Sequence, residues 1–496
     1  MKFVRLLPGL HCFRDICNVY VVHDKGEAVA IDFGSGGWLR NLSQLGIKKL
    51  SHVFLTHSHE DQCRGLPSKS SRPFLVHAPV GEDRFLSPQG VRDYWRSRRR
   101  GGGCPSSYSV LKSGVAGIRY DTAGFSDFFW GNRRIRFIST PGHGAGALSV
   151  VMDLGNKQIV FCGDAAHERG TIWQPYHLEW DHWTGTGALA AWEGIQRLAH
   201  LGIDLLCPAH GPMISKNPRR NLKLLGQRLM RFYQAKGSIC SGEHDRYLTP
   251  EIMKCGARRI LPHLIQFGMN SYLLRSDSGE ALVVDPMAND LCCLDGLLKE
   301  LNRPRLTAVL VTHYHLDHCD GAPFLQKKHG AAVWLHPRVA VPLRNLNPLR
   351  FPWLPRPSIK ADHFWPERGS WRWNEHGFQI APFGGQTWWH CAFLARIDGR
   401  RVLFGGDNFQ PASRWNGTGG FCSFNGSRFR EGFMRSAKLA LQWRPDLVVT
   451  GHQNFYRFSP RHFRKIISWA GKAEAATRAL CPSGNLERDY YLHHVK

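Results

Sequence analysis

The sequence predicts an α/β chain in which one four-layer unit, two sheets face to face with helices outside (an αβ/βα sandwich), is written twice in tandem. Three observations carry this. THSHEDQCRG (56–65) returns as THYHLDHCDG (312–321), with His57 answered by His313. IVFCGDAAH (159–167) returns as VLFGGDNFQ (402–410), and DLLCPAHGP (204–212) as DLVVTGHQN (446–454). Between these, apolar strands alternate with helices through short turns, the pattern of stacked sheets and helices.

Taken in order, NVYVVHDKGEA (18–28) and NSYLLRSDSGEA (270–281) alternate apolar and polar residues and read as hairpins. VAIDFGSGGW (29–38) and LVVDPMAND (282–290) are strands that end on Asp32 and Asp285. LSQLGIKKLSHVFLTHSH and LLKELNRPRLTAVLVTHYH read as an amphipathic helix, a turn and a buried strand delivering a histidine pair. STPGHGAGALSVV (139–151) corresponds to PFGGQTWWHCAFL (382–394). The later motifs keep a shorter spacing than the first, so about a dozen residues were gained or lost between copies, and so long a repeat is a domain duplication, not a solenoid. Helices over 216–235 and 459–478 close the units. The polar stretch QAKGSICSGEHDRYLTP (234–250) is the junction, which sets domains at 1–240 and 241–496.

Composition is globular, 43% hydrophobic and 21% charged, with no apolar run long enough for a membrane span. Pro8, His11 and Arg14 interrupt the opening MKFVRLLPGLHCFRD before a signal core forms, so a cytoplasmic location is expected. Fourteen cysteines show no CxxC pair, which argues against a disulfide framework or zinc ribbon. Cys63 and Cys319 hold equal places in the two motifs, as small residues opening a helix. The net charge of +26 is spread along the chain, with one cluster, RSRRRGGG (96–103), after Tyr94 and Trp95. It admits a nucleic-acid partner without requiring one.

In HxHxD at a strand-to-helix turn, two histidines two residues apart share one side of the strand end. Three imidazoles and a water make an open zinc-type site. The Asp and its successor fall on the first helical turn and point to a neighbouring position, where a second ion could share a carboxylate.

HxHxDH, a GH strand end, a GD after an apolar strand and a final His together resemble the metallo-β-lactamase-fold hydrolase superfamily, along nearly all of both halves. The resemblance implies that His57, His59 and His143 hold one metal in the first half. Asp61 and His210 hold a second, with Asp164 bridging. Gln62 stands where the family has a histidine. In the second half His313 and His315 begin the first site, and Asp317, His318 and His452 form the second, with Asp407 bridging. Here Gln386 replaces the expected histidine. Asp61 and Asp317 are the carboxylates expected to act in catalysis. An amide oxygen is a weaker ligand than imidazole, so Gln62 and Gln386 count as weak ligands. One firm site per half is expected, His57/His59/His143 and Asp317/His318/His452, beside one that binds weakly or not at all. His390, four residues beyond Gln386, lies about 13 Å along the strand and is not expected to replace it.

Asp32 and Asp285 are read as carboxylates that anchor the turn or orient a ligand histidine. Trp173, Trp180, Trp183, Trp388, Trp389 and Trp415 either floor a pocket or pack the core. His167, His177 and His182 are loop histidines that either donate protons or serve structure. The resemblance implies hydrolysis by a metal-bound hydroxide, with zinc, one or two ions per half, and iron or manganese as alternatives. A small-molecule acyl bond (thioester, ester or lactone) is the expected target. A phosphodiesterase or nuclease activity is the first alternative and a non-catalytic metal-binding scaffold the second. No membrane partner is expected.

Overall fold

The computed structural model describes residues 3–67, 72–99, 110–174, 178, 187–237, 247–344, 354–355, 358–410 and 426–482. The chain divides into two compact units, one built chiefly on Met1–Arg98 and Cys104–Gln234 with Ala476–Asn485, the other on Ala235–Ala475.

In the first unit, strands Phe3–Leu7, Leu10–Arg14, Asn18–Asp24, Glu27–Ile31, Lys49–Phe54, Leu75–Pro79 and Ile118–Thr122 form one sheet in that order. The early strands are antiparallel, and from Glu27–Ile31 onward the pairs are parallel. A second sheet runs Leu205–Pro208, Lys157–Gly163, Leu148–Leu154, Arg133–Ser139, Asp127–Trp130. The alternation of each strand sends Tyr20, Val29, Ile31 and Phe54 of one sheet and Phe137, Val150 and Phe161 of the other into a shared core. The opposite face of the first sheet packs Val21, Ala30 and Val53 against Trp38 and Leu86. That of the second packs Val151 and Val160 against helices Ala188–Ala199 and Pro218–Gly237 through Ile195, Leu198, Leu222 and Leu229. Helix, sheet, sheet, helix: four layers.

The second unit repeats the plan. Its first sheet carries Ser271–Arg275, Glu280–Val284, Arg305–Leu310 and Ala332–Leu335, and its second carries His376–Pro382, Cys391–Ile397, Arg400–Phe404 and Leu447–Thr450. Helices Arg435–Trp443 and Pro460–Leu480 cover the second sheet through Ala437, Ala440, Phe463 and Ile466. Buried tyrosines tie the two sheets at equivalent points: Tyr20 donates to Pro208 O and Tyr272 to Thr450 O.

The helix expected before the first histidine motif is present, as the 3₁₀ helix Gly37–Leu45. Gly36 and Gly46, both left-handed (φ 78° and 71°), bracket it, and the Trp38 indole donates to Phe33 O across its start. Its counterpart in the second half, Leu294–Glu300, is α-helical.

Each histidine motif stands at the carboxyl end of a parallel strand, where α/β sheets open a crevice. His59 and His315 are extended N-caps (ψ 148° and 140°) of the four-residue helices Glu60–Cys63 and Leu316–Cys319. This turns the histidine pair toward one spot and the next two side chains toward another. Cys63 and Cys319 are buried, and their thiols donate to the carbonyls of His59 and His315, which accounts for their matching places.

Candidate metal centres

The first half brings His57, His59 and His143 together, all buried, with one ring nitrogen of each within 4.8 Å of the others. A second group, Asp61, Asp164 and His210, meets the same criterion. Asp164 stands between them. Its Oδ1 lies 2.8 Å from His210 Nδ1, while Oδ2 lies 3.4 Å from His143 Nε2 and 3.7 Å from His57 Nε2. Asp61 Oδ2 closes on His210 Nε2 at 3.1 Å. Gly163 before Asp164 must be glycine: it sits at φ 52°, and a Cβ there would meet Thr56 Oγ1 at 2.7 Å.

The second half groups Asp317, His318 and His452, and separately His313, His315 and Asp407. Asp407 takes the place of Asp164, with Oδ1 3.1 Å from His318 Nε2 and Oδ2 3.3 Å from His452 Nε2. Asp317 Oδ2 lies 3.8 Å from His452 Nε2. His390 belongs to neither group. Its ring nevertheless stacks on His313 at 4.8 Å and 13°, so the fold brings it beside the ligand group, closer than its place four residues along the strand suggested.

The two glutamines behave alike although they replace different histidines. The Gln62 amide donates to Asp164 Oδ2 at 3.4 Å, and the Gln386 amide to Asp407 Oδ2 at 2.9 Å. In each case the NH₂ faces the shared carboxylate. Both side chains are buried, and Gln62 Oε1 has no hydrogen-bond partner among the described residues.

Asp32 and Asp285 supply the supports. Both are non-glycine residues at positive φ (60° and 53°), a strain that recurs at functional turns. Asp32 accepts from Thr56 N at 2.8 Å and from the Thr56 hydroxyl at 3.0 Å. With that proton directed to Asp32, His57 Nδ1 at 2.9 Å donates to the hydroxyl oxygen, and Nε2 points its lone pair into the site. Asp285, Thr312 and His313 repeat the relay. Only in the second half does the carboxylate also hold a ligand-type ring, with His318 Nδ1 3.0 Å from Asp285 Oδ2. Gln62 instead turns its amide to Asp61 and Asp164.

These residues fit a transition-metal ion. Burial lowers the His57, His143 and His313 pKa values, His143 to about 4, so these three rings are neutral, as ligation requires. Against burial, Asp164 and Asp61 raise His210 to about 11 and Asp407 raises His318 and His452, rings that pair with the carboxylates where an ion would otherwise sit. Buried His57 Nε2 has no hydrogen-bond partner among the described residues. Burial works to raise Asp164, but His210 and His143 outweigh it and hold the carboxylate ionised.

Other residues singled out in the sequence sort as follows. Trp173 stacks on His210, centroids 4.7 Å apart and planes 4° apart, and so fixes that ring. Trp389 is buried against Tyr314, and Trp388 carries two arginines. His167 binds Thr171 Oγ1 at 3.1 Å and holds its own loop. Trp95 donates to Leu111 O and Arg96 pairs with Asp93. Trp180, Trp183, Trp415, His177, His182 and residues 100–103 of the 96–103 cluster lie outside the described residues.

One positioning residue escaped the sequence reading. Glu82, buried, accepts from Gly146 N at 2.7 Å and from Ser58, between the two motif histidines. It joins the His57/His59 turn to the His143 loop. A carboxylate after a strand has no local signature, so only the fold reveals the contact.

The profile of the metallo-beta-lactamase superfamily matches residues 13–210 and again 266–452. Among solved structures the chain is similar to an archaeal metallo-beta-lactamase superfamily protein from Sulfolobus tokodaii, 22% identical over 50% of this chain and 92% of that one, TM-score 0.33. It is also similar to a class B3 di-zinc metallo-beta-lactamase from an Alaskan soil metagenome, 16% identical over 47% and 93%, TM-score 0.36. A third is a metallo-beta-lactamase from Pontibacter korlensis, 13% identical over 43% and 98%, TM-score 0.35. No curated protein matches the chain.

Proposed function

The chain belongs to the metallo-beta-lactamase superfamily, and from that premise we propose that it is a metal-dependent hydrolase of a small-molecule acyl bond: a thioester, ester or lactone. The observation that carries the reading is the position of Asp164 and Asp407, each between two groups of ligand-type side chains at strand ends. His57, His59 and His143 would hold one ion in the first half, with Asp61, Asp164 and His210 beside it. Asp317, His318, His452 and Asp407 would hold one in the second. A zinc-type ion bound there supplies Lewis acidity and makes water more acidic.

The protein's own part is positional. The Asp32–Thr56–His57 and Asp285–Thr312–His313 relays fix ring tautomers before an ion arrives. Asp61 and Asp317 are the members open to solvent, with side chains 29% and 26% exposed. In this reading they would take a proton from the attacking water and return it to the leaving group. Trp173 and Glu82 hold His210 and the His143 loop still.

The small-molecule reading is favoured over a nuclease because no domain-sized clamp is inserted between the glycine-rich motif and the final histidine of either half. The test is turnover of a panel of thioesters, lactones and phosphodiesters, with and without a chelator. Acyl cleavage lost on chelation and restored by zinc or manganese supports the proposal. Cleavage of phosphodiesters alone, or salt-sensitive binding of single-stranded nucleic acid without acyl turnover, would favour the nuclease.

A further inference from the structure

Two arginines of the second half rest on one indole that the metal centre does not use, and a third adds its charge to theirs. Trp388 lies two residues beyond Gln386, and the guanidinium carbons of Arg338 and Arg428 rest 4.1 Å and 4.0 Å from its ring centroid. Arg435 is near enough that, after burial, its charge and that of Arg428 depress the Arg338 pKa. Two exposed acids pair with them. Glu367 pairs with Arg338 at 3.3 Å and Glu431 with Arg428 at 3.0 Å, with side chains 71% and 60% exposed. Such pairs neutralise little. The arginines are the buried partners, at 18% and 21%.

The cluster stands at the edge of the sheet that carries the metal ligands. Glu280–Val284, Arg305–Leu310 and Ala332–Leu335 are parallel, and they end respectively at Asp285, at Thr312 with the histidine motif, and just before Arg338. Arg428 and Arg435 come from a segment fastened to the Gln386 turn: the Ser427 hydroxyl donates to Gln386 O, and that of Ser436 to Gly384 O at 2.6 Å. A guanidinium lying on an aromatic face keeps its in-plane N–H fork for an oxyanion, and the stacking sets its direction beforehand. Among the described residues the first half shows no such device at the equivalent turn. The motif alignment puts Ala145 and Gly146 where the second half has Trp388 and Trp389, and the turn there is held by a carboxylate, Glu82.

We propose that Arg338 and Arg428, arranged on Trp388, form an oxyanion-recognition subsite, so that the second half takes acyl substrates bearing a carboxylate or phosphate group. This rests on the hydrolase reading of the second half and adds a substrate class to it.

The test is calorimetric titration of the intact, metal-loaded chain with succinate and, separately, inorganic phosphate. Wild type, Arg338→Gln, Arg428→Gln and His318→Ala are compared, with thermal melts to confirm folding. At least one probe should bind wild type saturably. Each Arg→Gln change should weaken that binding about tenfold, the loss of a charged hydrogen-bond donor, while His318→Ala retains it. Arg428→Lys, which keeps charge but not the planar fork, should recover only part. Preference for one probe assigns the anion as carboxylate or phosphate. The subsite is overturned if neither probe binds, if binding survives both Arg→Gln changes, or if a folded His318→Ala loses it, since the anion would then sit on the metal. Retained anion binding without acyl turnover on any substrate would instead sink the hydrolase reading.

Discussion

The Gln386 side chain donates to Asp407 Oδ2 at 2.9 Å, and in so doing engages the carboxylate that stands between both ligand groups of its half. Gln62 reaches Asp164 Oδ2 at 3.4 Å, a longer contact to the equivalent atom. Restoring a histidine at either place removes an amide donor from the bridging carboxylate and adds an imidazole ligand. Gln62→His should raise bound metal by up to one ion per chain, and Gln386→His should do the same in the other half. Elemental analysis after dialysis against metal-free buffer reads this. An unchanged ratio in both variants would show that the glutamines are not what limits occupancy.

Asp285 and Asp32 differ in what they hold. Asp285 accepts from His318 Nδ1 as well as from Thr312, whereas Asp32 accepts from Thr56 and holds no ring directly. Asp285→Asn places an amide donor toward His318 and should lower the metal affinity of the second half about 10- to 100-fold. Asp32→Asn should cost the first half clearly less. A competition titration against a chromogenic chelator gives both numbers, and equal losses would contradict the asymmetry.

Away from the metal centres, His52 Nδ1 lies 3.0 Å from His77 Nε2, and His77 Nδ1 lies 2.9 Å from Asp121. Burial, and then the neighbouring His77, lower the His52 pKa to about 4. A folded pKa below the unfolded value of about 6.5 means the neutral ring is favoured by folding. The stability from this group is therefore present above about pH 6.5 and lost as pH falls toward 4. His52→Gln should flatten the decline of the denaturation midpoint between those limits. A decline as steep as in wild type would remove His52 from the account.

Much of this was legible in the chain. The repeat of THSHEDQCRG and THYHLDHCDG located both ligand groups, because a histidine pair at a strand end has one geometry whatever surrounds it. Asp32 and Asp285 were legible as supports for the same reason. Other contacts had no periodicity to announce them. Glu82 reaches Gly146, Trp173 lies flat on His210, and Arg428 finds Trp388 only because separate segments meet at one sheet edge. Such pairings are set by tertiary packing and leave no local pattern. The helix at Gly37–Leu45 was legible from its apolar spacing, while its 3₁₀ form accompanies the left-handed glycines that bracket it.

The central claim is that each half binds metal through its own ligands. The most direct measurement is the metal content of the purified chain beside His59→Ala, His318→Ala and the double variant. Each single change should remove the ions of one half and leave those of the other, and the double variant should be nearly empty. Metal content equal to wild type in all three would contradict the assignment of both centres.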